Sequence, residues 1–435
     1  MNDVKTVATP PSLAEATRVF AKIGLLSFGG PAGQIALMHR LIVDEKKWLD
    51  EKRFLHALNF CMLLPGPEAM QLATYAGWLL HGVKGGLIAG TLFVVPGVIV
   101  LLALSMLYVT LGDVPLVEGL LLGLKAAVLA IVVQALVKVS KKALKGTPSY
   151  VVAVAAFFAL AVLKAPFPLV ILLAAMLGYL VPNWFASQSG ETVYTAVVRP
   201  WRHVAKVLCW AILFWGLPVM LLALWLGKGS VYFQEAWFFS KASLVTFGGA
   251  YAVLAYVGQQ AVEIFGWLEP DEMLTGLGLA ETTPGPLVLV LVFVGFVGAF
   301  REAGGLDPLV AGMFGGLITV WVTFVPCFIW IFLGAPFVEA LRGNRLLAGA
   351  LAAITAAVVG VIANLSVWFG MHVLFADVGT QTAGPFHFDI PALASIDWRA
   401  AIIAIGAGLL IWRGVGLFWI LGLATASGVI VGQLM

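Results

Sequence analysis

Apolar runs recur along almost the whole of this 435-residue chain, and they constrain its fold more than any other feature. Hydrophobic residues make up 61% of the sequence and charged residues only 11%, whereas soluble domains average about 25% charged residues. The mean hydropathy is +1.02. Many of the runs reach the roughly 20 residues that a helix needs to cross a bilayer. The sequence therefore predicts an all-α integral membrane protein.

An internal repeat is the second constraint on the fold. When the sequence is shifted by 219 positions, residues 20–67 align with residues 239–286 without a gap, and 15 of the 48 positions are identical. Two short motifs recur in register, and we call them the FGG motif and the PGP motif. They are Phe28-Gly29-Gly30 with Phe247-Gly248-Gly249, and Pro65-Gly66-Pro67 with Pro284-Gly285-Pro286. Chance matching of apolar residues would not align both motifs, so the chain contains a duplication.

The two halves are predicted to have opposite orientations in the membrane. Each half holds six apolar segments, and one more segment joins the halves, which makes thirteen. The segments cover about 17–42, 54–80, 86–112, 116–137, 150–163 and 167–185, then 207–227, then 236–260, 273–299, 308–335, 346–376, 399–412 and 414–434. We assign residues 1–190 to an N-terminal transporter repeat, 191–234 to a connecting transmembrane helix and 235–435 to a C-terminal transporter repeat. Since six plus one is odd, the arrangement is an inverted repeat of the kind found in secondary transporters.

The distribution of Lys and Arg distinguishes two topologies. If all thirteen segments cross, the basic loop at 40–53 lies outside, against the rule that basic loops face the cytoplasm. If the first two segments of each half are instead re-entrant hairpins, broken at the FGG and PGP motifs, nine crossings remain and this loop lies inside. We favour the hairpins, with a cytoplasmic N-terminus, an external C-terminus and location in a bacterial inner membrane. Thirteen crossings, with the loop balanced by its own acidic residues, stay the alternative.

The four breaks form the candidate transport site. Irregular backbone at membrane depth is tolerated only where it lines a cavity or is buried in protein. A helix that starts after a break presents free N–H groups and a positive dipole end, which suit an anion. Glycine lets an oxyanion approach the backbone, and hydroxyl groups occur at matching positions. The other interpretation is that both motifs only allow close helix packing. The candidate substrate-binding residues are Ser27, Phe28, Gly29, Gly30, Pro31, Pro65, Gly66, Pro67, Thr246, Phe247, Gly248, Gly249, Pro284, Gly285 and Pro286.

Five charged residues within the apolar segments are further candidates, because charges are costly in a membrane. Lys22 and Lys241 occupy matching positions and would compensate a dianion, unless both extend to the interface. Lys125 lies well inside its segment and is a third candidate counter-charge. Glu68 and Glu281 flank the two PGP motifs. Either carboxyl group could bind a coupling proton, or it could cap an exposed helix end.

Enzyme and metal motifs are missing from the sequence. There is no GxxxxGK[ST] phosphate loop and no HExxH motif, so neither ATP hydrolysis nor metalloprotease chemistry is expected. The three cysteines lie far apart in apolar segments and suggest no metal site. We expect no enzyme activity, no cofactor and no nucleic-acid partner.

The motifs also carry a family resemblance that covers nearly the whole chain. The stretches FAKIGLLSFGGPAGQIALMHR and LLPGPEAMQLATYAG resemble the chromate ion transporter family, and SLVTFGGAYAVLAYV and ETTPGPLVLVLVFVGF are similar to its second domain. The length resembles the two-domain members. One departure is Ala250, which stands where the first half has Pro31, so the two breaks can differ in rigidity.

The resemblance implies a secondary transporter that exports chromate and confers chromate resistance, with sulfate as a chemically similar anion. An importer or exchanger for sulfate or another oxyanion, or an anion channel, stays the alternative. The expected partners are the oxyanion and membrane lipid, and a homodimer is left open.

Overall fold

The computed structural model describes residues 11–112, 114–185, 201–247, 250–335 and 345–433. Within them the chain is mainly helical, which confirms the predicted helical class. Five helical stretches are long and apolar enough to cross a membrane. They are Glu68–Leu111, Pro115–Ala143, Trp201–Trp225, Pro308–Gly334 and Arg345–Leu374, with shorter apolar helices beside them. These helices support a multi-pass membrane protein.

In the described residues, the first half contains seven helices, followed by the connector. They are α1 (Leu13–Leu26), α2 (Gly30–His39, continued by a π-helical turn over Arg40–Glu45), α3 (Glu51–Cys61), α4 (Glu68–Leu111), α5 (Pro115–Ala143), α6 (Thr147–Ala161) and α7 (Phe167–Leu180). The connector is α8 (Trp201–Ala211), a π-helical turn (Ile212–Gly216) and α9 (Leu217–Trp225).

The second half repeats this order and adds a β-hairpin. Its elements are α10 (Val231–Val245), α11 (Ala250–Gln259, continued by a π-helical turn over Gln260–Ile264), α12 (Pro270–Thr282), α13 (Val290–Arg301), α14 (Pro308–Gly334), α15 (Arg345–Leu374), β1 (Val378–Ala383), β2 (Phe386–Pro391), α16 (Trp398–Trp412) and α17 (Leu417–Gln433). Short 3₁₀ turns cover Pro182–Trp184, Leu287–Leu289 and Leu393–Ser395.

The chain folds back on itself at both FGG motifs. In the first half, Lys46 Nζ lies 2.8 Å from Glu15 Oε1, although 31 residues of straight helix would separate them by about 46 Å. In the second half, the rings of Phe238 and Tyr256 are 5.2 Å apart. The FGG motif lies near the middle of the chain between the members of each pair. Helices α1 and α2, and α10 and α11, are therefore the arms of hairpins.

The PGP motifs mark two further reversals of the chain. The rings of Phe60 and Tyr75 are 5.2 Å apart, on either side of the first PGP motif. A Cβ built on Gly276 would lie 2.5 Å from Phe293 Cδ1, across the second PGP motif. Hence α3 pairs with the start of α4, and α12 pairs with α13, again as hairpins.

Helix α4 itself contains a turn at His81 and Gly82, where the backbone is not helical. Gly82 has a φ of +60°, a value that glycine adopts at little cost. A Cβ built on Gly77 would lie 2.4 Å from the carbonyl oxygen of Gly85, so the two arms of α4 lie side by side. The boundary predicted between segments 54–80 and 86–112 falls at this turn.

The two halves pack into one interlocked bundle. Helices α6 and α7 pack on α15 of the other half, and α16 and α17 pack on α5. Glycine pairs allow both contacts, since a Cβ on Gly178 would lie 2.2 Å from Gly349 O and one on Gly428 would lie 2.2 Å from Gly119 O. Small residues at helix crossings are typical of membrane bundles. The repeats predicted from sequence thus exchange their last two helices.

The β-hairpin, β1 and β2, is a local departure from the predicted all-helical fold. Its strands pair antiparallel, from Val378 opposite Pro391 to Ala383 opposite Phe386. It rests on the turn between α6 and α7, where Lys164 Nζ lies 2.8 Å from Asp389 Oδ2. Burial tends to raise the pKa of Asp389, but hydrogen bonds from Lys164 and Thr380 hold that pKa below its ordinary value. The polar, alternating sequence of the β-hairpin carries no helical pattern.

Candidate functional site

The four hairpin tips meet through backbone hydrogen bonds between the halves. The N–H of Gly285 donates to the carbonyl of Ser27, at 2.8 Å, and the N–H of Gly66 donates to the carbonyl of Thr246, also at 2.8 Å. Each FGG break is thus bound to the PGP break of the other half. Ser27 and Thr246 are buried, with 0% and 4% exposure. We call this arrangement the crossing.

Glycine is required in both PGP motifs by conformation and by space. Gly66 and Gly285 have φ values of +127° and +99°, which L side chains rarely adopt. A Cβ on Gly66 would lie 2.8 Å from Cys327 Sγ, and one on Gly285 would lie 2.9 Å from Leu289 Cδ1. The prolines beside these glycines are buried, except for the half-buried Pro65. The PGP motifs therefore turn the chain tightly and place one amide N–H toward the other half.

The hydroxyl groups predicted to contact substrate are engaged within their own helices. Ser27 Oγ donates to the carbonyl of Ile23, at 2.6 Å, and Thr246 Oγ1 donates to the carbonyl of Ala242, at 2.7 Å. Both bonds satisfy carbonyls in the last turn of a helix that ends at the break. In this conformation the two oxygens can accept a hydrogen bond, while their hydrogens serve α1 and α10.

The first FGG motif has an open face. Gly29 and Gly30 have φ values of +84° and +74°, and no heavy atom lies within 4 Å of a Cβ built on either. Pro31 follows in the first turn of α2, while the ring of Phe28 packs edge-on against Phe418 of α17 at 5.2 Å. Backbone is thus accessible at the start of α2. In the second half Phe247 is half-buried, and Gly248 and Gly249 lie outside the described residues.

Helix caps differ between the outer ends and the tips of the hairpins. The first arms begin with side-chain caps at Ser12, Asp50 and Ser230, and with a capping box at Glu269. The three helical starts that are described with their caps at the tips have none, since α2 begins after Gly29, α4 after Pro67 and the 3₁₀ turn before α13 after Pro286. Their first N–H groups lack the cap that a side chain would supply, and they carry the positive end of the helix dipole.

Two buried glutamines support the crossing, and the sequence analysis did not identify them. Gln34 Nε2 donates to the carbonyls of Gly285, at 2.6 Å, and Ser27, at 3.3 Å. Gln71 Nε2 donates to the carbonyl of Pro65, at 2.7 Å. The Oε1 atoms of both amides are buried and have no hydrogen-bond partner in the described part of the chain. The sequence held a signal for both glutamines. Each is a polar amide inside an apolar segment, and the second half has Val253 in place of Gln34 and Val290 in place of Gln71.

The predicted lysines lie in varied surroundings. Lys22 is exposed on α1. Lys241 is also exposed, with Nζ 5.7 Å from the centre of the Trp237 ring. Lys125 forms an ion pair with Asp271, at 2.5 Å. Among the described residues, none of the three donates a hydrogen bond to the crossing, so their predicted contact with substrate stays a prediction.

The two predicted carboxyl groups lie beside the PGP motifs. Glu68 is half-buried in the first turn of α4. Glu281 is buried near the end of α12, and its Oε1 accepts a 2.8 Å hydrogen bond from the hydroxyl of Tyr251 on α11. Tyr251 is a further neighbour that the sequence analysis missed. The Glu281–Tyr251 bond joins the two hairpins of the second half.

Fold and site together define a multi-pass helical membrane protein whose two similar halves cross at broken helices. The family of chromate transporters matches residues 14–179 and residues 233–429, which is most of the chain. The protein belongs to this chromate transporter family. Membership points to a transporter rather than an enzyme, and it confirms the family resemblance.

Similar proteins span nearly the same length. The chromate transport protein of Pseudomonas aeruginosa is 31% identical over 426 residues, covering 94% of this chain and 95% of its own. The probable chromate transport protein of Synechococcus elongatus is 28% identical, covering 92% and 96%. The chromate transport protein of Cupriavidus metallidurans is 27% identical, covering 82% and 83%. No solved structure matches the chain.

Replacing Gln34 with Val, the residue at the equivalent position 253, is expected to weaken the crossing. The change removes the amide that bridges Gly285 O and Ser27 O, and buried groups that lose a partner cost about 1–3 kcal/mol. The thermal midpoint of the detergent-solubilised protein should fall, and vesicle transport should fall with it.

A matched control for Gln34→Val is Gln234→Leu, because the Gln234 amide donates to Gly229 O near its own helix start, at 3.2 Å, and bonds no hairpin tip within the described residues. This variant should keep the thermal midpoint of the unmodified protein. Equal midpoints for Gln34→Val and the unmodified protein would show that the amide bridge does not hold the tips together.

Proposed function

We propose that the protein is a secondary transporter that exports chromate from the cytoplasm across a bacterial inner membrane and so confers chromate resistance. Membership of the chromate transporter family supports chromate as the substrate. The similar proteins of Pseudomonas aeruginosa and Cupriavidus metallidurans are both chromate transport proteins by name, which agrees with that choice.

The crossing is the proposed oxyanion site, and the observation that carries this proposal is the meeting of four breaks, of which the three with a described helical start have no side-chain cap. An oxyanion next to Gly29 and Gly30 would accept hydrogen bonds from backbone N–H groups at the positive end of α2. No Cβ stands between an anion and this backbone. The buried Gln34 amide donates to the carbonyls of Ser27 and Gly285 and so stabilises the same region.

Binding by backbone dipoles suits a transporter better than binding by a fixed cation. A lysine at the crossing would attract a dianion strongly, and release would then be slow. Partial charges from N–H groups attract the anion and still allow it to leave. The exposed Lys22 and Lys241 would act at longer range, by raising the anion concentration near the hairpins.

The proposed membrane topology is an inverted repeat with four re-entrant hairpins. Of the thirteen apolar segments, four form these hairpins and nine span the membrane. Lys164 Nζ and Glu263 Oε1 are 4.0 Å apart. The hairpin topology puts both residues outside, whereas thirteen crossings would put them on opposite sides of the membrane. The Lys46–Glu15 pair likewise supports a first hairpin with both ends on one side. The N-terminus would be cytoplasmic and the C-terminus external.

Lipid is the proposed neighbour of the connector. Trp225 is 79% exposed and Ile212 is 70% exposed on the apolar stretch Trp201–Trp225. Such a surface is stable where acyl chains cover it.

Everted membrane vesicles that contain the protein should accumulate chromate when energised. Their cytoplasmic face points outward, so an exporter carries chromate from the surrounding solution into the vesicle. Control vesicles without the protein should not. Excess sulfate should compete in part, since both anions are tetrahedral and doubly charged. Radiolabelled chromate retained on filters is the measurement.

Three results would contradict the transport proposal in different ways. Absence of chromate and sulfate uptake would remove the function while leaving the fold. Uptake that equilibrates without accumulation would indicate an anion channel. Preference for sulfate over chromate would indicate a sulfate carrier.

Cysteine accessibility should separate the two topologies. In a background without the native cysteines, a cysteine in place of the exposed Ile264 should react with an impermeant thiol reagent added outside intact cells. A cysteine in place of Lys52, in the corresponding loop of the first half, should react only after the cells are opened. External reaction at position 52 together with protection at position 264 would favour thirteen crossings.

A further inference from the structure

Glu235 is a carboxyl side chain enclosed in the second half of the bundle. It lies in the second turn of α10 and is 0% exposed. Neither of its oxygens has a hydrogen-bond partner in the described part of the chain. The equivalent position in the first half holds Ala16, so the repeat does not demand an acid here. A buried, unpartnered carboxyl group on one half alone calls for a role of its own.

Two glycines, Gly298 and Gly315, create the space that Glu235 occupies. Helices α13 and α14 touch at Gly295 and Gly315, where a Cβ on Gly315 would lie 2.3 Å from Gly295 O. A Cβ on Gly298 would lie 3.0 Å from Glu235 Oε1, and one on Gly315 would lie 2.9 Å from Glu235 Oε2. The carboxyl group therefore fits against bare backbone on two helices.

Other polar atoms near this cradle also lack hydrogen-bond partners within the described ranges. Trp267, whose Cγ lies 3.0 Å from a Cβ built on Gly298, has a buried Nε1 with no hydrogen-bond partner among the described residues. Thr319 Oγ1, which lies 2.2 Å from a Cβ built on Gly295, is buried and likewise finds no partner in the part of the chain that the structure describes. Together with Glu235 they form a polar group inside an apolar bundle. Such groups are rare because each costs free energy unless a partner is found in some state of the protein.

The charges around Glu235 do not compensate an ionised carboxylate. Arg301, the cation of α13, is bound to the carbonyl of Trp267, at 3.0 Å, and to Glu272, at 2.9 Å. Neither α14 nor α9 contains an Asp, Glu, Lys, Arg or His residue. The titratable groups on the elements packed against α10 are Tyr232 and Lys241 of α10 itself, Tyr251 and Tyr256 of α11, Arg301 and the adjoining Glu302 of α13, and Cys327 of α14. A buried carboxylate with no ion-pair partner is strongly disfavoured relative to the neutral acid.

We propose that Glu235 is a proton-binding site, occupied in this conformation, and that release of its proton displaces α10 and couples a proton gradient to transport. The chemical step is reversible breakage of the carboxyl O–H bond, which leaves a carboxylate and passes one proton to water. The resulting charge requires water or a cation, and it can obtain either only if α10 moves off the glycine cradle. This inference rests on the proposed transport function.

The link to substrate runs along α10. This helix carries Glu235 near its start and ends at Thr246, whose carbonyl accepts the hydrogen bond from Gly66. Movement of α10 would strain or break that bond and open one side of the crossing. The helix is therefore an element whose position both the proton and the oxyanion can bias.

Infrared spectroscopy tests the proton site directly and does not depend on transport. Glu235→Gln keeps the shape of the protonated acid but removes its O–H group. The purified protein should show a protonated-carboxyl C=O band that Glu235→Gln abolishes and that the control Glu302→Gln, an exposed acid at the end of α13, retains. Identical spectra for Glu235→Gln and the unmodified protein would overturn the proposal.

Transport assays test the coupling. In proteoliposomes, Glu235→Gln should lose accumulation driven by a pH gradient, while chromate–chromate exchange at equal pH persists. Accumulation equal to that of the unmodified protein would overturn the coupling, and so would equal loss of accumulation and exchange. Failure of the unmodified protein to exchange chromate would instead refute the proposed function and leave the infrared result standing.

Discussion

The pair of hydrogen bonds between Gly285 and Ser27, and between Gly66 and Thr246, is the interaction on which the rest of the structure depends. Each bond joins backbone that has left its helix, and in an apolar surrounding such backbone must find a partner inside the protein. The partner comes from the other half in both cases. The crossing is therefore possible only because the chain contains two copies of the same pair of breaks.

The outer packing follows the same exchange. Helices α6 and α7 cover α15, and α16 and α17 cover α5, so neither half buries its long helix alone. Glycine pairs such as Gly178 with Gly349 bring backbones into contact where side chains would hold them apart. With the periphery interlocked in this way, a shift of one hairpin tip can be transmitted to both halves.

Much of this arrangement could be predicted from sequence because the repeat is explicit. The FGG and PGP motifs predicted the positions of the breaks, while the preference for re-entrant hairpins over thirteen membrane-spanning segments, drawn from the basic loop near Lys47, stays a prediction. Motif spacing cannot reveal which breaks touch, and the pairing of each FGG with the PGP of the other half emerged only from the structure. Glu235 was missed for a similar reason, since its enclosure by Gly298 and Gly315 depends on helices far away in the sequence.

Location of the bound oxyanion tests the account most directly. A crystal structure of the protein with chromate, in which anomalous scattering marks the chromium, would give the position of the anion without reference to any assay. A chromium peak is expected beside Gly29 and Gly30 at the start of α2. A single peak away from all four hairpin tips would contradict it.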